Sequence, residues 1–154
     1  MSELYLVRHA KAGNRERWQG DDRLRPLSKS GRRQADALVT VFEGRKVDRI
    51  LSSPFLRCLQ TVQPLAAERM LPIEEADALA EGAELDEVLA LVAELEGVSA
   101  VLCSHGDVIP ALVEHLVQRG MLVDGEPNWR KGSTWVIERR ADELLHGASL
   151  EAPA

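Results

Sequence analysis

The sequence predicts an α/β domain, a three-layer sandwich in which a mostly parallel central sheet is covered by helices on both faces. Short apolar runs alternate with longer segments of helical periodicity, which is the pattern of repeated strand–helix units. The chain has 154 residues, of which 45% are hydrophobic, so it can bury one aliphatic core. We therefore expect one domain over residues 1–154, with an ordered core over 3–147 and a frayed tail at Ala148–Ala154.

Each strand is predicted from an apolar run, and each helix from apolar residues at three- and four-residue spacing. Ser28 suits the N-cap of the first helix and Gly44 its end. Pro54 suits the first turn of the second helix. The predicted order is strand 4–7, helix 28–44, strand 47–52, helix 54–70, strand 72–75, helix 85–95, strand 99–103, helix 108–119 and strand 133–139.

Charge is distributed unevenly along the chain. There are 19 Lys and Arg against 25 Asp and Glu, a net charge of −6, which argues against a dedicated nucleic-acid binder. Residues 8–33 nevertheless hold nine basic and three acidic residues, whereas residues 68–96 hold ten acidic residues and one Arg. The counts alone favour two solvated faces of opposite sign. The functional interpretation is that the basic stretch binds an anion.

The sequence also bears on location and on metal binding. It contains no signal-peptide pattern and no apolar segment long enough to span a membrane. Its two cysteines, Cys58 and Cys103, are too few for a disulfide scaffold or a Cys-rich zinc site. We therefore expect a soluble, cytoplasmic protein without a membrane partner.

Three predicted strands lead to residues that suit an anion site. The first ends in Arg8 and His9, the second leads to Arg57, and a later one ends in His105 and Gly106. Ligands of parallel sheets bind beyond the carboxyl ends of the strands, so these side chains should converge. Phosphate fits such a cluster because the guanidinium group of arginine forms bidentate hydrogen bonds with two phosphate oxygens. A neutral histidine can also attack phosphorus, although a lone histidine is more often a core residue bonded to a backbone carbonyl.

Four segments of the chain carry these residues: LYLVRHA, LSKSGRRQA, SSPFLRCLQTV and LCSHGDV. In this order they resemble the signature motifs of the histidine phosphatase superfamily, which has the phosphoglycerate-mutase-like fold. The resemblance implies that His9 is the nucleophile that becomes phosphorylated. It implies that Arg8, Arg57 and His105 hold the phosphoryl oxygens, with the Gly106 N–H as a further donor. It also implies that neither a metal nor an organic cofactor is needed.

Two positions depart from the family pattern. Ala10 stands where the signature has Gly. This variant resembles the small SixA-type phosphohistidine phosphatases and the histidine phosphatase domains linked to Nudix hydrolases, although no Nudix signature is present. Six residues after the nucleophile the family usually has a phosphate-binding Asn, but here Arg15 occupies that position and Asn14 precedes it. Both are therefore candidates for phosphate binding.

The general acid has three candidates. Glu81 lies 72 residues after His9, where the family often places its acid, and Glu84 is an adjacent competitor. Asp107 resembles the acid that follows the second histidine in the acid-phosphatase branch. The alternative interpretation of Glu81 is that it is one of ten solvated carboxylates in the acidic region. The alternative interpretation of Asp107 is that it stabilises a helix N-terminus through the helix dipole. A phosphohistidine substrate would need little help from an acid.

The spacing of the motifs bears on the substrate. Only 47 residues separate Arg57 from His105, which leaves little chain for a lid, so we expect a shallow and accessible site. The leading hypothesis is a phosphatase of phosphohistidine in a partner protein. The alternative is a phosphatase of a small phosphoester or nucleotide, with Trp18 stacking on a ring rather than anchoring its loop. A non-catalytic phosphate-binding module is the alternative of another class. The oligomeric state is not predicted.

Overall fold

A computed structural model describes residues 1–141 and 143–154 of the chain. Four α-helices and seven strands follow one another, with short 3₁₀ turns at Asp22–Leu24 and Asp77–Leu79. The strands are β1 (Ser2–Arg8), β2 (Arg49–Ser52), β3 (Ile73–Glu75), β4 (Ala100–Ser104), β5 (Leu122–Asp124), β6 (Thr134–Arg140) and β7 (Glu143–Leu150). The helices are α1 (Lys29–Val41), α2 (Leu56–Arg69), α3 (Leu85–Glu94) and α4 (Val108–Gln118).

The strands form one sheet in the order β3-β2-β4-β1-β6-β7-β5. The four strands from β3 to β1 are parallel, so their carboxyl ends meet at one edge. Strand β6 runs antiparallel to β1 and to β7, and β5 is parallel to β7. The prediction of a mostly parallel sheet is therefore confirmed.

Helices cover both faces of this sheet, as predicted. Successive residues of a strand point to opposite faces, and β1 shows this alternation. Tyr5 packs with Phe42 on the face covered by α1 and α2, with the two rings 4.9 Å apart and nearly perpendicular. Leu4 and Leu6 belong to the cluster formed with α3 and α4 on the other face. The result is a three-layer α/β/α sandwich.

The start of α1 brings that helix against the loop that follows β1. Ser28 is the N-cap, as predicted, and its Oγ accepts a hydrogen bond from the Gly31 N–H at 3.1 Å. A Cβ on Gly31 would overlap with the carbonyl oxygen of Lys11. Glycine at position 31 therefore allows the close approach of helix and loop that shapes one wall of the site described below.

The C-terminal region differs from the prediction. Strands β5 and β7 were not predicted, and the expectation of a frayed tail at Ala148–Ala154 was wrong for residues 148–150, which belong to β7. Strand β7 extends to Leu150, and Gln34 Nε2 donates a hydrogen bond to the Pro153 carbonyl oxygen at 3.1 Å. The sequence of β7 lacks a clear alternation because most of its residues are only partly buried. The strand forms because β6 offers it a partner, with a bulge near Glu138.

Two simpler expectations concern the cysteines and the membrane. Cys58 on α2 and Cys103 on β4 are buried and free. Within residues 1–141 and 143–154, none of the helices combines the length and the apolar character that crossing a bilayer requires.

Candidate active site

The predicted strand-end residues come together at the carboxyl edge of the parallel strands. Arg8 ends β1 and His9 follows it, His105 follows β4, and Arg57 lies in the first turn of α2. Arg8 and His9 line an open cleft of about 580 Å³, whereas the buried Arg57 and His105 are not among its lining residues. The charged residues that line this cleft are Arg8, Arg15, Arg25, Glu81, Asp107 and Lys131.

His9 is held in one tautomer. Its side chain is 5% exposed, and Nδ1 lies 2.8 Å from the carbonyl oxygen of Ala10. Because a carbonyl can only accept, Nδ1 carries the proton and Nε2 carries the lone pair. Burial, together with the nearby His105, Arg57 and Arg8, lowers the pKa of His9 to about 3. His9 is therefore a neutral imidazole at ordinary pH, the form that can act as a nucleophile.

His105 lies beside His9 and is almost fully buried. The centroids of the two imidazole rings are 5.4 Å apart, with an angle of 65° between their planes. Ser53 Oγ lies 2.8 Å from His105 Nε2 and Cys58 Sγ lies 3.5 Å from the same nitrogen. The Phe55 ring packs against the imidazole at 4.7 Å. These contacts fix the orientation of the His105 ring.

Arg57 is fully buried and fixed in position by Asp22. Its Nη1 donates to the Asp22 carbonyl oxygen at 2.8 Å, and its Nη2 lies 3.1 Å from the Asp22 carboxylate. The same carboxylate accepts a hydrogen bond from Arg25 Nε at 2.9 Å. The sequence analysis did not single out Asp22, although it lies within the basic stretch. Asp22 orients two of the arginines around the cleft.

Arg8 crosses the edge of the sheet toward the loop before β6. Its Nη1 donates to the Trp129 carbonyl oxygen at 2.7 Å. Burial lowers the pKa of Arg8 from its ordinary value. A Cβ on Gly106 would lie 2.7 Å from Arg8 Cζ, so the guanidinium group packs directly against the backbone at position 106. Any larger residue at position 106 would displace Arg8.

Three nitrogen atoms at this edge are buried without a hydrogen-bond partner among the described residues: Arg8 Nε, Arg57 Nε and His105 Nδ1. The two arginine atoms are N–H donors, and His105 Nδ1 is a donor in the tautomer in which Nε2 accepts from Ser53 Oγ. Buried polar atoms in folded proteins are nearly always paired, so a group of unpaired donors requires a physical reason. An anion bound at this edge would supply the acceptors. The arrangement of these side chains therefore suits a phosphoryl group.

The three acid candidates lie in different surroundings. Glu81 lines the cleft, with its carboxylate 3.4 Å from Arg15 Nη2 and 3.7 Å from Arg57 Nη2. Asp107 also lines the cleft, but both of its carboxylate oxygens accept backbone hydrogen bonds, one from α4 and one from Gly82. Asp107 therefore caps α4 and fixes the turn that carries Glu81. Glu84 caps α3 and is not among the residues lining the cleft.

The loop between β1 and α1 contributes the two candidates for phosphate binding. Asn14 and Arg15 both line the cleft. Asn14 Oδ1 accepts a hydrogen bond from the Glu16 N–H at 2.8 Å, which stabilises the turn and engages its side-chain oxygen. Trp18 does not line the cleft, and its Nε1 donates to the Asp21 carbonyl oxygen at 2.9 Å. The position of Trp18 favours the loop-anchoring interpretation over stacking on a ligand.

Two cationic residues of the cleft were missed by the sequence analysis. Arg25 is buried, and its Nη1 donates to the Gly13 carbonyl oxygen at 2.6 Å. Lys131 precedes β6 and is brought close because the Gly132 N–H bonds to the carbonyl oxygens that end β1. Arg25 could have been found as part of the basic stretch. Lys131 has no local signal, since only the antiparallel pairing of β1 and β6 places it at the site.

Comparison with known proteins identifies relatives of the chain. The family model described as "Histidine phosphatase superfamily (branch 1)" matches residues 4–87. The chain is 37% identical over 155 residues to an 8-oxo-(d)GTP phosphatase of Mycolicibacterium smegmatis. That match covers 97% of this chain and 48% of the relative, so the chain spans about half the length of that protein.

Solved structures with the same fold include two phosphatases with oxyanions bound. The protein histidine phosphatase SixA complexed with tungstate has a TM-score of 0.75 at 24% identity, covering 97% of this chain and 94% of its own. A mycobacterial glucosyl-3-phosphoglycerate phosphatase in complex with inorganic phosphate has a TM-score of 0.70 at 20% identity, covering 100% of this chain and 98% of its own. At these identities the likeness establishes the fold, which agrees with the prediction.

Proposed function

The chain belongs to the histidine phosphatase superfamily, and we propose that it is a phosphatase that transfers a phosphoryl group first to His9 Nε2 and then to water. The observation that carries this proposal is the neutral, buried His9 beside three unpaired nitrogen atoms, Arg8 Nε, Arg57 Nε and His105 Nδ1. A protonated imidazole could not attack phosphorus. The donors neutralise charge that spreads over the phosphoryl oxygens in the transition state.

In the first step the phosphoryl group lies between His9 and the donors of Arg8, Arg57 and His105. His9 Nε2 forms a bond to phosphorus while the bond to the leaving oxygen breaks. The hydrogen bond from Nδ1 to the Ala10 carbonyl oxygen stabilises the positive charge that develops on the imidazole. The Gly106 N–H, Asn14 and Arg15 are further candidates for contacts with the phosphoryl oxygens. No metal or organic cofactor takes part in this scheme.

In the second step water attacks the phosphorus atom and the bond to His9 Nε2 breaks. An acid is needed to protonate the leaving oxygen in the first step, and a base is needed to take a proton from water in the second. Among the three acid candidates we favour Glu81, because it lines the cleft beside Arg57 while its carboxylate is not used in capping a helix. Because Asp107 accepts a hydrogen bond from the Gly82 N–H, we infer that Asp107 positions the turn that carries Glu81. Glu81 is then general acid in the first step and general base in the second.

We favour a small phosphorylated compound of the nucleotide kind as substrate. The cleft volume of about 580 Å³ exceeds what a single phosphoryl group needs and falls within the ~300–1,000 Å³ typical of small-molecule sites. The relative at 37% identity is an 8-oxo-(d)GTP phosphatase. Phosphohistidine in a partner protein is the second candidate. It is supported by the open cleft and by the shared fold with the protein histidine phosphatase SixA.

The remaining expectations are proposals of the same kind. The common sheet of all seven described strands supports one domain over residues 1–154. The free, buried cysteines support a reducing compartment such as the cytoplasm. A non-catalytic phosphate-binding module would have no use for the tautomer that leaves His9 Nε2 as a nucleophile.

The experiment that tests the function is a phosphatase assay in EDTA with p-nitrophenyl phosphate, ADP and a phosphohistidine peptide. Wild type should release inorganic phosphate, and His9→Ala should not. His115→Ala is the matched control, because His115 lies on α4 and does not line the cleft. The ratio of kcat/KM among the three substrates ranks the two substrate candidates. Equal turnover by wild type and His9→Ala would refute the proposed function.

A further inference from the structure

The cleft holds more cationic groups than a single phosphoryl group requires. Arg8 and Arg57 lie next to His9 and contribute unpaired donors to the phosphoryl pocket. Arg25 and Lys131 line the same cleft. Like charges that share a partly desolvated cleft repel one another and lose hydration, so such a cluster is unfavourable unless an anion binds among its members.

The carboxylates nearby already have partners. The Asp22 carboxylate is bonded to Arg25 and to Arg57. Glu81 lies 3.7 Å from Arg57 Nη2, and Asp107 accepts two backbone N–H groups. These acidic groups fix the arginines and the turns around the cleft. Among the described residues that line the cleft, they leave two cations, Arg8 and Lys131, without an ion-pair partner.

Arg8 already contributes a donor to the phosphoryl pocket, so Lys131 is the unpaired cation that remains. Across residues 1–141 and 143–154, no carboxylate lies within ion-pair distance of its ammonium group. Partial burial lowers the pKa of Lys131, and Arg8, Arg25 and two further arginines lower it as well. The hydrogen bonds from Gly132 to the carbonyl oxygens of Arg8 and His9 hold the Lys131 backbone beside the nucleophile. The Lys131 backbone is therefore held close to the phosphoryl pocket, and its exposed side chain lines the cleft among other cations.

We propose that Lys131 and Arg25 form a second anion subsite, which binds the phosphate adjacent to the one that is transferred. The substrate class is then an organic diphosphate, such as a nucleoside diphosphate, whose terminal phosphate is removed. This inference rests on the proposed function for the reaction, while the subsite itself is a statement about binding. Arg25 suits the task because Asp22 and the Gly13 carbonyl oxygen hold its guanidinium group in place.

The chemistry of the leaving group agrees with this assignment. His9 Nε2 forms the bond to the terminal phosphorus, the bridging P–O bond breaks, and its electron pair stays on the departing monophosphate. Lys131 and Arg25 stabilise the negative charge that appears there. The monophosphate is released first. Water then forms a bond to phosphorus, the N–P bond breaks, and inorganic phosphate leaves as the second product. A phosphate leaving group needs less proton donation than an alkoxide, so Glu81 matters less for this substrate.

Binding can be tested without turnover by a pair of non-hydrolysable probes, methylenediphosphonate and methylphosphonate. We expect wild type to bind the diphosphonate about 10-fold or more tightly than the monophosphonate in calorimetry, as one charge-assisted contact implies. Lys131→Gln should remove most of that ratio. Lys46→Gln should retain it, because Lys46 is an exposed lysine that lies before β2, at the opposite edge of the sheet.

Kinetics gives the second readout, the ratio of kcat/KM for ADP to that for p-nitrophenyl phosphate. Lys131→Gln should lower this ratio about 10-fold, through KM for the lost binding contact and through kcat for the lost stabilisation of the leaving group, whereas Lys46→Gln should leave it unchanged. If Lys131→Gln lost affinity for both phosphonates by the same factor, or lost affinity for neither of them, the proposed subsite would be refuted. If wild type hydrolyses nothing but the Lys131-dependent binding ratio persists, the proposed function fails and the subsite stands. If His9-dependent hydrolysis occurs with no effect of Lys131, the subsite alone fails.

Discussion

The inner end of the cleft and its outer rim differ in how far water reaches their charges. At the inner end His9, Arg57 and His105 are at most 5% exposed. At the rim the Arg15 side chain is 67% exposed and the Glu81 side chain 39%. Electrostatic interactions are strong where water is excluded and are screened by solvent and salt where it is not. We therefore expect the inner residues to carry the chemistry and the rim residues to affect substrate choice and proton transfer.

This contrast predicts the largest effect at the nucleophile. His9→Ala should lower kcat for p-nitrophenyl phosphate on the order of 10⁴-fold or more, as loss of a nucleophile does in other enzymes. His115→Ala should retain activity, and thermal unfolding should show that both variants fold. Substantial residual turnover by folded His9→Ala would mean that another group attacks phosphorus.

The next largest effect is expected at Arg57. Replacing it with Ala removes a preorganised donor from a desolvated pocket and should cost about 10²–10³-fold in kcat. Arg49→Ala is the matched control, since Arg49 pairs with Glu74 at the start of β2, away from the site. Steady-state kinetics and a melting curve for each variant separate catalysis from stability. An unchanged kcat in Arg57→Ala would show that Arg57 does not stabilise the phosphoryl group in the transition state.

The acid candidates should separate on phenyl phosphate, whose leaving group is poor. Glu81→Gln should lower kcat about 10²-fold through loss of the proton donor. Asp107→Asn should lower the melting temperature, because an amide NH₂ cannot accept the backbone N–H that a carboxylate oxygen accepts. Glu84→Gln is the control outside the cleft. A larger kinetic loss in Asp107→Asn than in Glu81→Gln would exchange their roles.

The smallest signal concerns the ionisation of His9, and it shows how strongly the inner end excludes water. An unperturbed histidine titrates near ~6.5, whereas burial lowers the pKa of His9 to about 3. Its imidazole resonances in an NMR titration should therefore stay constant from pH 8 to pH 5. As the pH falls from 6.5 toward 3, the unfolded chain takes up this proton and the folded chain does not. His9 should therefore reduce stability in that range. A midpoint near 6.5 would contradict this description.

Much of the parallel half of the molecule could be predicted because its signals are local. Strand β1 is an apolar run, α1 starts at the Ser28 N-cap, and β4 ends next to His105, as the sequence indicates. The resemblance to a known family added the roles proposed for these residues. In parallel sheets the carboxyl ends of the strands meet at one edge. Local sequence signals were therefore enough to predict that His9 and His105 lie close together.

The antiparallel half could not be predicted in the same way because its contacts are distant in sequence. Strand β7 has no alternation of its own and depends on β6. The acceptor for Arg8 is the Trp129 carbonyl oxygen, a backbone atom that no sequence motif marks. Lys131 reaches the site only through the pairing of β1 with β6. The rim of the cleft was therefore described less completely by the sequence than its inner end.

The most direct test of the account is to look for phosphate on His9. Wild type should be mixed with excess p-nitrophenyl phosphate in EDTA, quenched within one turnover, and mapped by peptide mass spectrometry. The account predicts one acid-labile phosphoryl group on the His9 peptide, absent from His9→Ala and present in His115→Ala. Rapid release of nitrophenol by wild type with no phosphorylated His9 peptide, or with the phosphoryl group on another residue, would contradict it.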